Sequence, residues 1–172
     1  MVLHTIAFGA LKPYLADNPE NELTPAQLEM TADVMGTNLV YWVQELFRRK
    51  MFRAGSRIYA MTSAGDHSVI PYYGAVSAAK AVLESHIRQL AYELMPHGIT
   101  ANAFQAGVTV TPGASKIPDF EKLAESARMR NPAGRLTTPQ DVAKAIAALM
   151  SDQTHWMTGN VIRLDGGEDI VT

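Results

Sequence analysis

Three polar side chains stand where a reactive group is useful: Ser63 closing an apolar stretch, Tyr73 at the entrance of a helical pattern, and Lys80 within it. Seven residues of α-helix turn through about 700°, so positions 73 and 80 share a face within about 20° and lie roughly 10 Å apart along the axis. A phenol and an ammonium can therefore converge on one ligand. A positive charge beside Tyr73 favours the phenolate, and the sequence predicts a Tyr73 pKa drawn down from about 10, making a usable proton donor near neutral pH. Ser63 adds a hydroxyl able to donate to the same substrate oxygen. Tyr72, beside Tyr73, reads as a packing or rim residue.

These groups need elements to hold them. Val2 to Phe8 is a short apolar run ending at Gly9, which suits a buried strand. Lys12 to Leu23 is rich in Pro, Asn and Asp and reads as loop, after which Thr24-Pro25-Ala26-Gln27 supplies an N-cap, a first-turn Pro and a capping-box Gln for a helix to about Met51. Ser56 to Thr62 reads as strand, Ser63 to Pro71 as loop, and Tyr73 to Met95 as helix, with Val76, Leu83, Ile87, Leu90 and Leu94 at helical spacing. Ile99 to Gln105 is a strand, Asp119 to Arg130 a helix, Thr138 to Asp141 a second N-cap opening the helix Val142 to Met150, and Val161 to Leu164 a last strand. This alternation specifies an α/β fold with a parallel sheet and helices on both faces. At the carboxyl edge of such a sheet ligands bind, and there Ser63, Tyr73 and Lys80 would gather.

Composition narrows the class. With 172 residues, 47% of them hydrophobic, the chain has enough apolar surface for one core, and no repeat, linker or low-complexity segment suggests a second domain. A net charge of −2 without a basic stripe argues against nucleic acid as a partner. No apolar run approaches the roughly 20 residues of a membrane span. The absence of cysteine removes disulfides and thiolate metal sites and fits a cytoplasmic protein. The five histidines show no metal-ligand spacing. Met30, Met35, Tyr41, Trp42 and Phe47 read as core and subunit interface, and Asp165-Gly166-Gly167 as the turn after the last strand.

The ordered set of segments LHTIAFGA, GTNLVYW, PYYGAVSAAK, ITANAFQAGVTVTPG, NPAGRLTTPQDVAKAIAALMSD and TGNVIRLDGG resembles the C-terminal part of the short-chain dehydrogenase/reductase superfamily. Within it, the six residues between Tyr73 and Lys80 resemble the divergent branch of enoyl-acyl-carrier-protein reductases, where most of the superfamily has three; Val76 is then expected. Ser63 stands where many enoyl reductases carry a further Tyr. The resemblance implies a Rossmann-like, doubly wound parallel sheet and NAD(P)H-dependent reduction of an enoyl thioester carried on acyl carrier protein. It implies catalytic roles for Tyr73, Lys80 and Ser63, with Asn38 holding a water that links to Lys80. Lys80 would hold the cofactor ribose, the loop at Gly107 and Thr109 would meet the nicotinamide carboxamide, and Thr111 would offer its hydroxyl to the pyrophosphate, the cofactor being NADH or NADPH. Ile117 to Arg130, with Phe120, Leu123 and Met129, resembles the segment that covers the acyl chain. A homo-oligomer, tetramer or dimer, would form through the helices Pro25 to Met51 and Tyr73 to Met95.

LHTIAFGA resembles the family's fourth strand, and no Gly-x-x-x-Gly-x-Gly nucleotide turn exists anywhere in the chain. The expectation is a single partial domain, truncated at the N-terminus, with Val2 to Phe8 as an open apolar sheet edge and no cradle for adenosine. A fragment, a start codon assigned too late and a short protein without dinucleotide binding are the three readings of that gap. Two alternatives to enoyl reduction stay open: a carbonyl or ketoacyl reductase in which Ser63 and Tyr73 polarise a ketone, and a non-catalytic oligomerising remnant.

Overall fold

The computed structural model describes residues 1–171. Strand β1 (Val2–His4) is followed by helix α1 (Pro25–Ala32), a π-helical segment (Asp33–Thr37) and helix α2 (Asn38–Arg48). Then come β2 (Arg57–Ser63), α3 (Gly74–Leu94), β3 (Thr100–Ala106), α4 (Phe120–Arg130), α5 (Pro139–Leu149) and β4 (Val161–Leu164). The four strands are parallel in the order β1-β2-β3-β4. The register sets Ser63 opposite Ala106 and Ala106 opposite Leu164, so three strands end at one level. That shared edge is where the loops carrying polar residues emerge. Among the described residues, no helix is long and apolar enough to cross a membrane.

Side-chain size explains how α2 and α3 sit on the sheet. The sheet offers Ala60, Ala101 and Ala103 with Ile58, and the helices fill the space with Leu39, Val43, Leu83, Ile87, Leu90 and Leu94. Each fully buried Leu or Ile stabilises the fold by about 1.5–3 kcal/mol relative to exposure. On the opposite face Tyr59 and Phe104 pack with ring centroids 4.7 Å apart, and the Tyr59 hydroxyl donates to the Leu149 carbonyl at 2.7 Å, which docks the end of α5.

The capping box predicted at Thr24 forms, and the predicted N-cap Thr138 forms one as well. Thr24 exchanges hydrogen bonds with Gln27, and Thr138 with Asp141. Because Thr138 is the N-cap, α5 begins at Pro139, three residues before the expected Val142. The first strand differs more: it stops at His4, not Phe8. Beyond it the chain leaves the ladder, and the Ala10 amide donates to Thr31 Oγ1 at 3.0 Å. Gly9 fits there because a Cβ would fall 2.7 to 2.9 Å from Thr31, Met35 and Val76. β1 is nevertheless the sheet edge, with Leu3 half exposed on it.

The single long helix expected after Thr24 is interrupted. At Asp33–Thr37 the Asn38 amide reaches back five residues to the Asp33 carbonyl, the signature of a π turn. Gly36 lies in this turn, where a Cβ would stand 2.8 Å from the Ala79 carbonyl oxygen and 3.0 Å from Val82 Cγ1. Its lack of a side chain thus sets how closely α3 approaches. Of the apolar residues expected as core or interface, Met35 is buried, whereas Tyr41 and Trp42 remain 51% and 55% exposed.

Gly36→Ala is expected to push α3 off the π turn and destabilise the chain by about 1–3 kcal/mol. Urea denaturation should show a lowered midpoint with an unchanged slope.

Candidate active site

β2 delivers Ser63 to the sheet edge, and the chain returns through a loop to Tyr73, the N-cap of α3. Tyr72 makes this entry possible by adopting φ of +65°, a left-handed conformation costly for a bulky residue. It leaves Tyr72 at the rim and turns Tyr73 inward. Gly65 forms the seat for the Tyr73 ring: a Cβ there would lie 2.7 Å from Tyr73 Cε1. The seat is fixed from both sides, since the Gly65 amide donates to Ser63 Oγ at 3.2 Å and the Ser77 hydroxyl donates to the Gly65 carbonyl.

Ser63, Tyr73, Gly107, Thr109 and Thr111 all line one cavity of about 560 Å³. Its floor is the turn after β3. Gly107 is required because a Cβ would fall 2.5 Å from Thr137 Oγ1 and 2.8 Å from Glu168 Oε2. The Thr109 hydroxyl donates to the Gly107 carbonyl at 2.9 Å. Thr111 Oγ1 accepts the Ala114 amide at 3.1 Å, so its own O–H proton stays free for a ligand. Ile117, Phe120 and Leu123 form an apolar wall. Met129, expected with them, is instead 79% exposed, because it projects from the outer face of α4.

Lys80 and Asn38 lie apart from that cavity, and here the sequence expectation needs correction. Lys80 is 6% exposed, and its ammonium donates to the Met61 carbonyl of β2 at 2.7 Å. The Tyr73 pKa is accordingly raised, not lowered: burial pushes it up, and only a hydrogen bond with Ser63 pulls the other way. Burial also lowers the Lys80 pKa to about 8, against the charge of Glu84. Beside Lys80, His4 is held neutral by burial first and then by the Lys80 charge. The Asn38 carboxamide stands close enough to oppose this, yet Asn38 Oδ1 and both His4 ring nitrogens find no hydrogen-bond partner among the described residues.

Sequence reasoning read the turn at Asp165 to Gly167 but missed the two acidic residues that follow it. Glu168 is buried and takes the Val108 amide on both carboxylate oxygens at 3.2 Å. Burial raises its pKa, with the Val108 amide opposing. Asp169 accepts Gln105 Nε2 at 2.9 Å. Both residues border the cavity. The only signal in the sequence was two acidic residues directly after a Gly-Gly turn.

Residues 1–168 match the family model described as Enoyl-(Acyl carrier protein) reductase. The chain is 30% identical over 171 residues to the enoyl-[acyl-carrier-protein] reductase [NADH] FabI of Aquifex aeolicus, covering 99% of this chain and 62% of that protein. With the FabI of Escherichia coli it shares 31% identity over 168 residues, or 98% of this chain and 63% of the relative. Among solved structures, the Aquifex aeolicus reductase superposes with a TM-score of 0.87 at 29% identity, covering 98% of this chain and 65% of the other. The Bacillus cereus enoyl-acyl carrier protein reductase with NADP+ and indole naphthyridinone gives 0.88 at 29% identity, over 99% and 65%. The chain thus spans 62 to 63% of the length of these two curated relatives.

The Lys80 environment has a consequence for stability. Its folded pKa of about 8 lies below the 10.5 of an exposed lysine. The unfolded chain therefore binds more protons between these values, so the cost of the buried charge is full below about pH 8 and is relieved as pH rises. Relative to Lys80→Met, the native chain should gain up to about 3 kcal/mol between pH 8 and 10.5, read from urea denaturation at each pH. A difference that stays flat across this range contradicts a desolvated Lys80.

Proposed function

The chain belongs to the enoyl-(acyl carrier protein) reductase family, and from that premise we propose that it serves the reduction of an α,β-unsaturated acyl thioester, presented on acyl carrier protein, with NADH or NADPH. The observation that carries this reading is the single cavity in which the Tyr73 and Ser63 hydroxyls face the apolar wall of Ile117, Phe120 and Leu123. A thioester carbonyl needs donors where negative charge develops, and its acyl chain needs a water-free wall.

The residues present fit the nicotinamide half of such a cofactor. Thr111 keeps a free O–H for a pyrophosphate oxygen, the Gly107 to Thr109 backbone borders the cavity, and Lys80 spends one of its three N–H donors on Met61. A nicotinamide dinucleotide bound here would supply hydride to the β-carbon of the substrate. Tyr73 does the rest of the work we assign to this chain. Kept protonated by its raised pKa, it donates to the thioester oxygen as enolate character develops, and it can deliver its proton there. Ser63 orients the phenol, and Gly65 fixes the plane of its ring. Lys80 holds the Met61 carbonyl of β2, two residues before Ser63. We read the 172 residues as one partial Rossmann-like unit.

The exposed Tyr41 and Trp42 of α2, with half-exposed Phe47, support a homo-oligomer built on that helix. Ser63 beside Tyr73 also supports carbonyl reduction as a second reading, since two hydroxyls can polarise one ketone.

The purified chain, mixed with NADH or NADPH and a crotonyl or longer enoyl thioester, should consume the reduced cofactor in an absorbance assay. Tyr73→Phe is expected to lose about 10²–10⁴-fold in turnover, and Tyr72→Phe to retain it. The reverse ranking overturns the assignment. Turnover of a ketoacyl thioester in place of the enoyl one favours carbonyl reduction, and no turnover with either substrate favours the non-catalytic reading.

A further inference from the structure

Asp169 receives donors from three elements. Besides Gln105 of β3, Arg163 of β4 reaches it through Nη2 at 3.2 Å, and His67 of the loop after β2 through Nε2 at 3.0 Å. The other ring nitrogen of His67, Nδ1, lies 2.5 Å from Asp66 Oδ1. A neutral imidazole has one N–H, so a ring with a carboxylate at each nitrogen satisfies both only as imidazolium.

The two segments joined in this way both border the cavity. Ser68, Val69, Ile70 and Pro71 border the cavity on the His67 side, and Glu168, Asp169 and Val171 on the other. Glu168 grips Val108 from the same turn, so the turn already holds the cavity floor when His67 reaches it.

We propose that His67 is a positioning residue: as imidazolium it ties the loop after β2 to the turn at Glu168 and Asp169, holding the cavity rim together, and on losing its proton it releases that loop.

The surrounding charges favour the tie. Asp66 faces His67 from its own loop and Asp169 from the turn after β4, and the Glu84 carboxylate of α3 lies near Asp66. Arg163 of β4 is the opposing cation, and it shares Asp169. Burial alone would lower the His67 pKa, but hydrogen bonding and charge from Asp66 and Asp169 outweigh it and raise the value. A folded pKa above the unfolded 6.5 means that the tie stabilises fully below about pH 6.5 and is lost as pH rises through the folded value. The rim is therefore firm in mild acid and loosens toward alkaline pH.

NMR titration of the 172-residue chain reads this without substrate, cofactor or turnover, so its outcome is separate from that of the reductase assay. The His67 ring is expected to titrate above 6.5, and Asp169→Asn to move its midpoint down by about 0.5–1 unit. Amide exchange, corrected for its intrinsic pH dependence, adds a second readout. Ser68 and Asp169, whose amides donate to the Ala64 carbonyl and Asp165 Oδ2, should lose about tenfold protection from pH 6 to 8.5 in the native chain. In His67→Gln both amides should show the lower protection at each pH. A His67 midpoint at or below 6.5, or native and His67→Gln chains with the same exchange at both pH values, overturns the proposal. Should His67→Gln fail to fold, the native and Asp169→Asn titrations decide alone.

Discussion

The ladder between β2 and β3 is the constraint on which the site depends. Seven consecutive residues pair in register, from Arg57 with Thr100 to Ser63 with Ala106. A slip of one residue would turn Ile58 and Ala60 away from α2 and α3 and send Tyr59 into their place, since successive side chains face opposite ways. The same slip would lift Ser63 out of line with Gly107. Core packing and site geometry are thus selected by one alignment. That is why small Ala residues on the sheet face matter as much as the large residues of the helices: they let α3 lie close enough for Tyr73, at its first turn, to overhang the strand end.

The polar residues near the site fall into two groups along α3. At its entrance, Ser63 and Tyr73 share a hydrogen-bonded environment in which burial keeps the proton on the phenol. Further in, buried Lys80 and His4 stand with the buried Oδ1 atom of Asn38, and among the described residues Oδ1 and both His4 ring nitrogens have no hydrogen-bond partner. Helical spacing alone suggested direct contact between Tyr73 and Lys80. It could not reveal that a strand backbone would intercept the ammonium, because the acceptor is the carbonyl of Met61, an atom that every residue type possesses.

The same distinction explains what the sequence discloses elsewhere. Thr24 with Gln27 and Thr138 with Asp141 were legible, because a capping box is written within four residues and needs no tertiary partner. So was β4, whose limits were read correctly as Val161 to Leu164. The early end of β1 was not, since it is decided by Thr31 capturing the Ala10 amide across a loop. The π turn left one trace, Gly36 within a helical pattern, and its meaning appears only against Ala79 and Val82. Within the site, the residues named from the strand-end turns did converge on one cavity. Glu168, Asp169, His67 and Gly65 escaped notice because their partners are backbone amides, ring faces or carboxylates far along the chain.

That last separation bears on the order in which the molecule takes shape. Tyr73 reaches its seat through contacts a few residues away, with Gly65 and the Ile70 carbonyl. Asp169 meets His67 across 102 residues of sequence. Loop-closure entropy makes such a contact slow to form and dependent on the intervening sheet. The half of the cavity that carries the reactive phenol thus rests on contacts within a few residues, while its far wall needs the sheet between to be in place.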